Sequence, residues 1–169
     1  MNAGGHGRET SDVLVRTRVR TLAAAGPPMV LDADDLHFAY RHSAIGPTDV
    51  VVDAEFCVHD DAPEACGARV DEIVRWRREH QPGGANGGSV FRNPPDDSAG
   101  RLIDAAGAKG LRVGGALVSE KHANFFQAEP GATAQDVRAL IALVQERVQS
   151  KFGITLVPEL VMIGFEDAA

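Results

Sequence analysis

Residues 133–153, TAQDVRALIALVQERVQSKFG, decide which kind of fold this chain can adopt. Thr133 stands where an N-cap hydroxyl belongs, and Asp136 three residues later supplies the carboxylate of a capping box, in place of the usual Glu. Val137, Leu140, Ile141, Val144 and Val148 recur at helical spacing and make one apolar stripe. Gly153 is the residue type that ends a helix in the left-handed conformation. On both sides of this helix the pattern changes. Asn124 to Ala128 reads as a short strand before it, while Ile154 to Val157 and Leu160 to Phe165 read as strands around Pro158-Glu159.

The same mixture continues toward the amino terminus. Between Asp12 and Arg20, Val13, Val15 and Val19 alternate with Arg16, Arg18 and Arg20, a strand pattern, and Met29 to Leu31 can pair with it across Gly26-Pro27-Pro28. Asp32 to Leu36 reads as a short helical turn, and Val50 to Val58 as a strand. Asp60 or Asp61 can cap a helix that tolerates Pro63 in its first turn. Cys66, Val70, Ile73 and Val74 form its expected apolar face, with Arg69, Arg75 and Arg78 turned away. Residues 81–97 are a loop rich in Pro and Gly; Asp97 then caps a short helix through Leu102 and Ile103 to Gly107, and Leu111 to Val118 reads as a strand. Strands and helices interleave without a strict βαβ repeat, so the class is α+β.

At 169 residues, 44% hydrophobic and 24% charged, the chain has the size and composition of a soluble domain with a substantial core. A net charge of −7 argues against a dedicated nucleic-acid binder, which needs clustered cations, but leaves room for a local pocket for a small anion. No apolar run is long enough to span a membrane, and the amino terminus lacks the apolar core of a signal peptide. Cys57 and Cys66 have no CxxC partners and read as buried thiols of a cytosolic protein. His6, His37, His42, His59, His80 and His122 show no metal-ligand spacing, so no metal is expected.

Three polar residues stand where structure alone does not require them. Ser89 lies in Gly87-Gly88-Ser89-Val90-Phe91-Arg92-Asn93-Pro94, where glycines allow close backbone approach and the proline stops regular structure. Arg41 follows Tyr40 at the end of an apolar approach. Glu159, between Leu156-Val157 and Leu160-Val161, is costly to bury unless paired or protonated. Ser89 is not a hydrolase nucleophile elbow, because Phe91 occupies the position of the second glycine in GxSxG. Neither glycine-rich segment ends in Gly-Lys-Ser/Thr, and Gly110 to Gly115 is not placed as a dinucleotide fingerprint. Met1-Asn2-Ala3-Gly4-Gly5-His6-Gly7 reads as a ligand-hugging turn.

With those residues laid out, the chain resembles the UDP-N-acetylenolpyruvoylglucosamine reductase (UDP-N-acetylmuramate dehydrogenase) family of flavoenzymes. The resemblance rests on Asn2-Ala3-Gly4-Gly5-His6-Gly7, Phe38-Ala39-Tyr40-Arg41-His42-Ser43, Gly88 to Pro94, Ser98-Ala99-Gly100-Arg101-Leu102-Ile103, Lys109 to Ala116, Ser119-Glu120-Lys121-His122-Ala123-Asn124-Phe125 and Pro158-Glu159. These occur in the family's order across nearly the whole chain. Each is weak; seven together are specific.

The resemblance implies an FAD-dependent, NADPH-driven oxidoreductase of peptidoglycan synthesis, cytoplasmic, acting on UDP-N-acetylglucosamine enolpyruvate. It implies Ser89 as the acid that protonates C2, with Arg41 and Glu159 acting on the substrate carboxylate and the enolate-like intermediate. Tyr40, His80, Arg92, Asn93 and His122 match substrate-contacting positions, and Asn2, Ala3, Gly4 and Gly7 match part of the flavin site. His80 departs from the family, standing where many members carry Lys before Gln-Pro. On this reading residues 1–31 are remnant strands of an FAD-binding domain and 32–169 a small mixed α/β substrate-binding domain. The larger part of the flavin domain would precede Met1, and a separate amino-terminal FAD-domain fragment is a possible partner. The alternative is a non-catalytic UDP-sugar-binding fragment.

Overall fold

A computed structural model describes residues 1–23 and 25–165. The chain divides into two compact units, Met1–Ile73 and Val74–Ala169, with the division inside a helix.

The first unit opens with a minimal hairpin, β1 (Gly4–Gly5) against β2 (Arg8–Glu9). Its connection, His6-Gly7, has φ of 52° and 75°. Two positive φ values give a two-residue loop the hand that suits twisted antiparallel strands. β3 (Leu14–Thr21) then sits at the centre of a three-stranded antiparallel sheet between β4 (Met29–Asp32) and β5 (Asp49–Phe56). The expected pairing of Met29–Leu31 with the arginine-bearing strand is present, with Val19 opposite Met29 and Thr17 opposite Leu31. The alternation explains itself across the other edge. Arg16 faces Glu55 at 2.6 Å and Arg18 pairs with Asp53, both directly opposite in register. These pairs are solvent-exposed, so they set register more than they stabilise.

The helix α1 (Pro63–His80) begins at its proline, just after Asp61. The Asp61 carboxylate accepts from the Ala62 N–H at 2.8 Å and pairs with Arg69 at 2.6 Å. Its expected apolar face is not buried. No residue of α1 is buried, and Val70 is 58% exposed. Cys66 and Cys57 are likewise exposed, which corrects their reading as buried thiols. Periodicity names the side of a helix suited to packing, but not whether a neighbour is there.

The second unit holds the larger core. β6 (Asn86–Ser89) pairs with β9 (Phe125–Ala128), which pairs with β8 (Ala116–Val118) and then β7 (Arg112–Val113), all antiparallel. α2 (Ala99–Ala105) and α3 (Ala134–Phe152) pack on this sheet, burying Leu102, Ile103, Leu140, Ile141, Val144 and Val148 with Phe91, Val118 and Phe126. The α3 capping box is formed as read, with Thr133 and Asp136 bonded reciprocally, and Gly153 ends the helix at φ 69°.

Several boundaries differ from expectation. Leu111–Val118 is a hairpin rather than one strand, because it turns at Gly114-Gly115. A Cβ on Gly115 would come within 2.7 Å of the Ala132 backbone, so glycine permits that turn to abut the approach to α3. Ser98, not Asp97, caps α2, its hydroxyl accepting from the Arg101 N–H at 3.3 Å. Residues 154–165 form no strands; Pro158 makes a single bridge to Phe91, since a proline nitrogen cannot donate to a ladder. The mixed class α+β stands.

Candidate functional site

Ser89 is the last residue of β6 and lies opposite Phe125 of β9. The register slips between Asn86 and Ser89, and Gly88 adopts φ 79°, a conformation that glycine alone takes freely. A Cβ on Gly87 would sit 3.0 Å from the Leu160 side chain. The two glycines are thus explained by a bulge and a close approach, and Ser89 is aimed by both.

Beyond Ser89 the strand is gripped on two sides. On one, the Val90 N–H donates to the Asn124 carbonyl at 2.9 Å, while the Asn124 side chain accepts from the Phe91 N–H at 2.9 Å and donates to the Phe91 carbonyl at 2.8 Å. On the other, the Glu159 N–H donates to the Val90 carbonyl at 2.7 Å and the Arg92 N–H to the Val157 carbonyl at 2.9 Å. Two of the three expected catalytic residues, Ser89 and Glu159, therefore lie on adjoining backbone segments.

Ser89 also lines a cleft of about 350 Å³ with Asn93, Lys109, Lys121, His122 and Asn124. A turn supports the His122 side: the buried Ser119 hydroxyl accepts from the N–H groups of Lys121 at 3.1 Å and His122 at 3.4 Å. The His122 ring meets the edge of Phe125 at 4.8 Å, and a Cβ on Gly100 would lie 3.2 Å from it. Its Nδ1 accepts from the Asn124 N–H at 3.2 Å, leaving Nε2 to carry the proton of the neutral ring. Burial holds this imidazole below its usual pKa, with the Lys109 charge adding to the effect. Lys109 pairs with Asp104 at 2.8 Å, and Lys121 donates to the Arg78 carbonyl. Arg101 pairs with Asp97, whose carboxyl it holds below the ordinary range. Hydroxyls, amides, an imidazole N–H and two ammonium groups around one space suit an anionic, hydroxyl-bearing ligand.

A pH dependence follows from His122. Its folded pKa lies below the unfolded value of 6.5, so the unfolded chain binds the proton more readily. Stability should be full above 6.5 and fall as the pH drops from there through the lower folded pKa. Chemical denaturation of wild type and His122→Asn over that range is the check: the variant should show the shallower slope.

The remaining expected substrate residues of this unit divide. Asn93 lines the cleft and its side-chain oxygen accepts from the Ala99 N–H at 3.0 Å, tying it to the start of α2. Arg92 is exposed. His80 ends α1, stacked on Trp76 at 4.5 Å with Nδ1 2.8 Å from the Trp76 carbonyl, and is not part of the cleft wall. Asn124 and Ser119 carry the local architecture and were not singled out from the sequence. The available signal was a lone amide between Ala123 and Phe125 at the edge of an apolar strand.

The first unit carries its own polar group. Ala39 and His42 close a tight turn with reciprocal backbone bonds of 3.4 and 3.0 Å. Tyr40 and Arg41 form its tip, Arg41 with φ 53° and its guanidinium 5.5 Å from the Tyr40 ring centre. A non-glycine residue held at positive φ is the kind of local strain that clusters at functional positions. In the amino-terminal loop, Asn2 is buried; its side chain donates to Glu9 at 2.6 Å and accepts from the Ser11 N–H at 3.0 Å. The Ala3 carbonyl accepts from Thr10 at 2.9 Å. Asn2 thus builds the loop, while Ala3, Gly4 and Gly7 are exposed, with open space where a Gly7 Cβ would stand. An exposed, side-chain-poor backbone surface lets a ligand approach the main chain closely.

Among the described residues no three His, Cys, Asp or Glu side chains form a metal cluster, and no helix is long and apolar enough to cross a membrane.

Comparison with known proteins gives a consistent result. Residues 80–163 match the family described as UDP-N-acetylenolpyruvoylglucosamine reductase, C-terminal domain. The reductase of that name from Rhodopseudomonas palustris (strain BisB5) is 44% identical over 97% of this chain and 53% of its own length. That from Erythrobacter litoralis is 42% identical over 97% of this chain and 50% of its own length. The crystal structure of the reductase from Thermus caldophilus superposes with a TM-score of 0.78 at 36% identity, covering 92% of this chain and 56% of that one. The chain spans about half the length of the curated relatives it matches.

Proposed function

We propose a function from the premise that this chain belongs to the UDP-N-acetylenolpyruvoylglucosamine reductase family. It takes part in the NADPH-driven reduction of UDP-N-acetylglucosamine enolpyruvate to UDP-N-acetylmuramate, a cytoplasmic step of peptidoglycan synthesis. The observation that carries this reading is Ser89, on the wall of a cleft holding Lys109, Lys121 and His122 and next to the segment that bears Glu159.

FAD supplies hydride chemistry when bound, and Ala3, Gly4 and Gly7, with Asn2 behind them, are the residues of this chain that would border it. Residues 1–31 serve that side of the reaction and 32–169 the substrate side; β3 and β5, paired in one sheet, come from both segments. A hydride on C3 of the enolpyruvyl group leaves electron density at C2 and on the carboxylate. The Ser89 hydroxyl holds the proton for C2; a carbanionic carbon is so strong a base that a positioned alcohol suffices. Arg41 meets the charge building on the carboxylate, and together with Glu159 it polarises that group and stabilises the enolate-like intermediate. Asn93 and His122 fix the sugar nucleotide, and Tyr40, His80 and Arg92 extend the binding surface.

The second reading is a UDP-sugar-binding module that performs no chemistry alone. It is supported by the cleft itself, whose lining residues all come from the unit Val74–Ala169. A separate amino-terminal FAD-domain fragment would then complete the enzyme. Calorimetric titration of the chain with the enolpyruvyl sugar nucleotide, alongside its visible spectrum, tests both. Yellow protein that oxidises NADPH when the sugar is added supports the enzyme; colourless protein that binds the sugar and loses affinity in Lys121→Ala supports the module. Absence of binding in either form overturns the assignment of the cleft.

A further inference from the structure

The structure assigns Asn124 as the positioning residue that holds Ser89 and Glu159 in fixed relation, a role that rests on the reading of Ser89 as the proton donor. β9 begins at Phe125, opposite Ser89, so no further strand residue is available to pair with Phe91. The side-chain amide of Asn124 takes the place of that missing peptide unit. It accepts from the Phe91 N–H and donates to the Phe91 carbonyl, while the Asn124 backbone carbonyl accepts from the Val90 N–H at 2.9 Å. The Val90 carbonyl in turn accepts from the Glu159 N–H, at 2.7 Å. Asn124 is only 4% exposed, so its side-chain amide makes these bonds largely shielded from water.

Only an amide of this length serves. It must offer one donor and one acceptor at once; an ionised Asp only accepts, and Gln is one methylene too long. A buried acid, however, is protonated more readily than a free one, and the protonated form can again donate and accept. That makes Asn124→Asp a variant whose clamp opens and closes with pH. The clamp also touches the cleft, since the Asn124 N–H donates to His122.

In the FAD-loaded holoenzyme, Asn124→Asp at alkaline pH should lower kcat for sugar reduction by about 10- to 100-fold, the scale of a displacement near 1 Å. Flavin reduction by NADPH should change little, and kcat should recover as the pH is lowered. Amide hydrogen exchange on the chain itself supplies the second measurement. The Val90, Phe91 and Glu159 amides should exchange faster in Asn124→Ser, with those of α3 unchanged. Unchanged exchange at these three amides overturns the clamp. Faster exchange with an unchanged kcat, or an equal fall in both half-reactions, overturns its positioning role. If Ser89→Ala proves fully active the proton-donor reading fails instead, which the exchange result leaves separately visible.

Discussion

Replacing Ser89 with alanine in the FAD-loaded enzyme should slow reduction of the enolpyruvyl sugar by about 10²- to 10⁴-fold, the usual worth of a positioned general acid. Reduction of the flavin by NADPH should stay within about twofold, because that half-reaction needs no proton at C2. The expectation is specific because the loss falls on one half-reaction. Ser89 sits at the end of β6, aimed by the Gly88 bulge, and its removal takes away a hydroxyl without a core contact. Stopped-flow absorbance separates the two half-reactions directly. An equal loss in both would mean that Ser89 supports the fold or nucleotide binding and is not the proton donor.

Phe91→Ala should be the most damaging single change to stability, at about 3–5 kcal/mol. Phe91 is 1% exposed and packs edge-on against Phe126 at 6.0 Å, within the cluster that joins α2 and α3 to the sheet. Domains of this size are stable by only about 5–15 kcal/mol, so the variant would lose a large part of that margin. Phe91→Leu, which keeps most of the volume, should cost much less. Urea denaturation followed by circular dichroism gives both values. A loss below about 1 kcal/mol for alanine would show that the pocket closes over the gap, contrary to the packing described.

What could be read from the sequence divides along physical lines. Local rules sufficed where local chemistry decides: the capping box at Thr133, the stop at Gly153 and the alternation of β3 all appear where they were expected. They failed where tertiary context decides. The stripe on α1 looked like a buried face and is not buried, because period reports the arrangement of apolar groups and not the presence of a partner. Residues 154–165 have strand composition but run beside 90–92 as single bonds and one bridge, with Pro158 in the way of a ladder. On the cleft wall, the place of Ser89 was legible because a hydroxyl among glycines has no packing purpose. Asn124 was not, because its meaning depends on Phe91, 33 positions away in sequence.

A helix of 18 residues that buries none of them must persist mainly on its own backbone and a few tethers, among them the Asp61 pair at one end and the Lys121 bond to the Arg78 carbonyl at the other. In such an arrangement residues 63–80 occupy the soft end of the molecule's thermal ladder. On warming, α1 should unravel ahead of α3, which is wedged into its apolar bed.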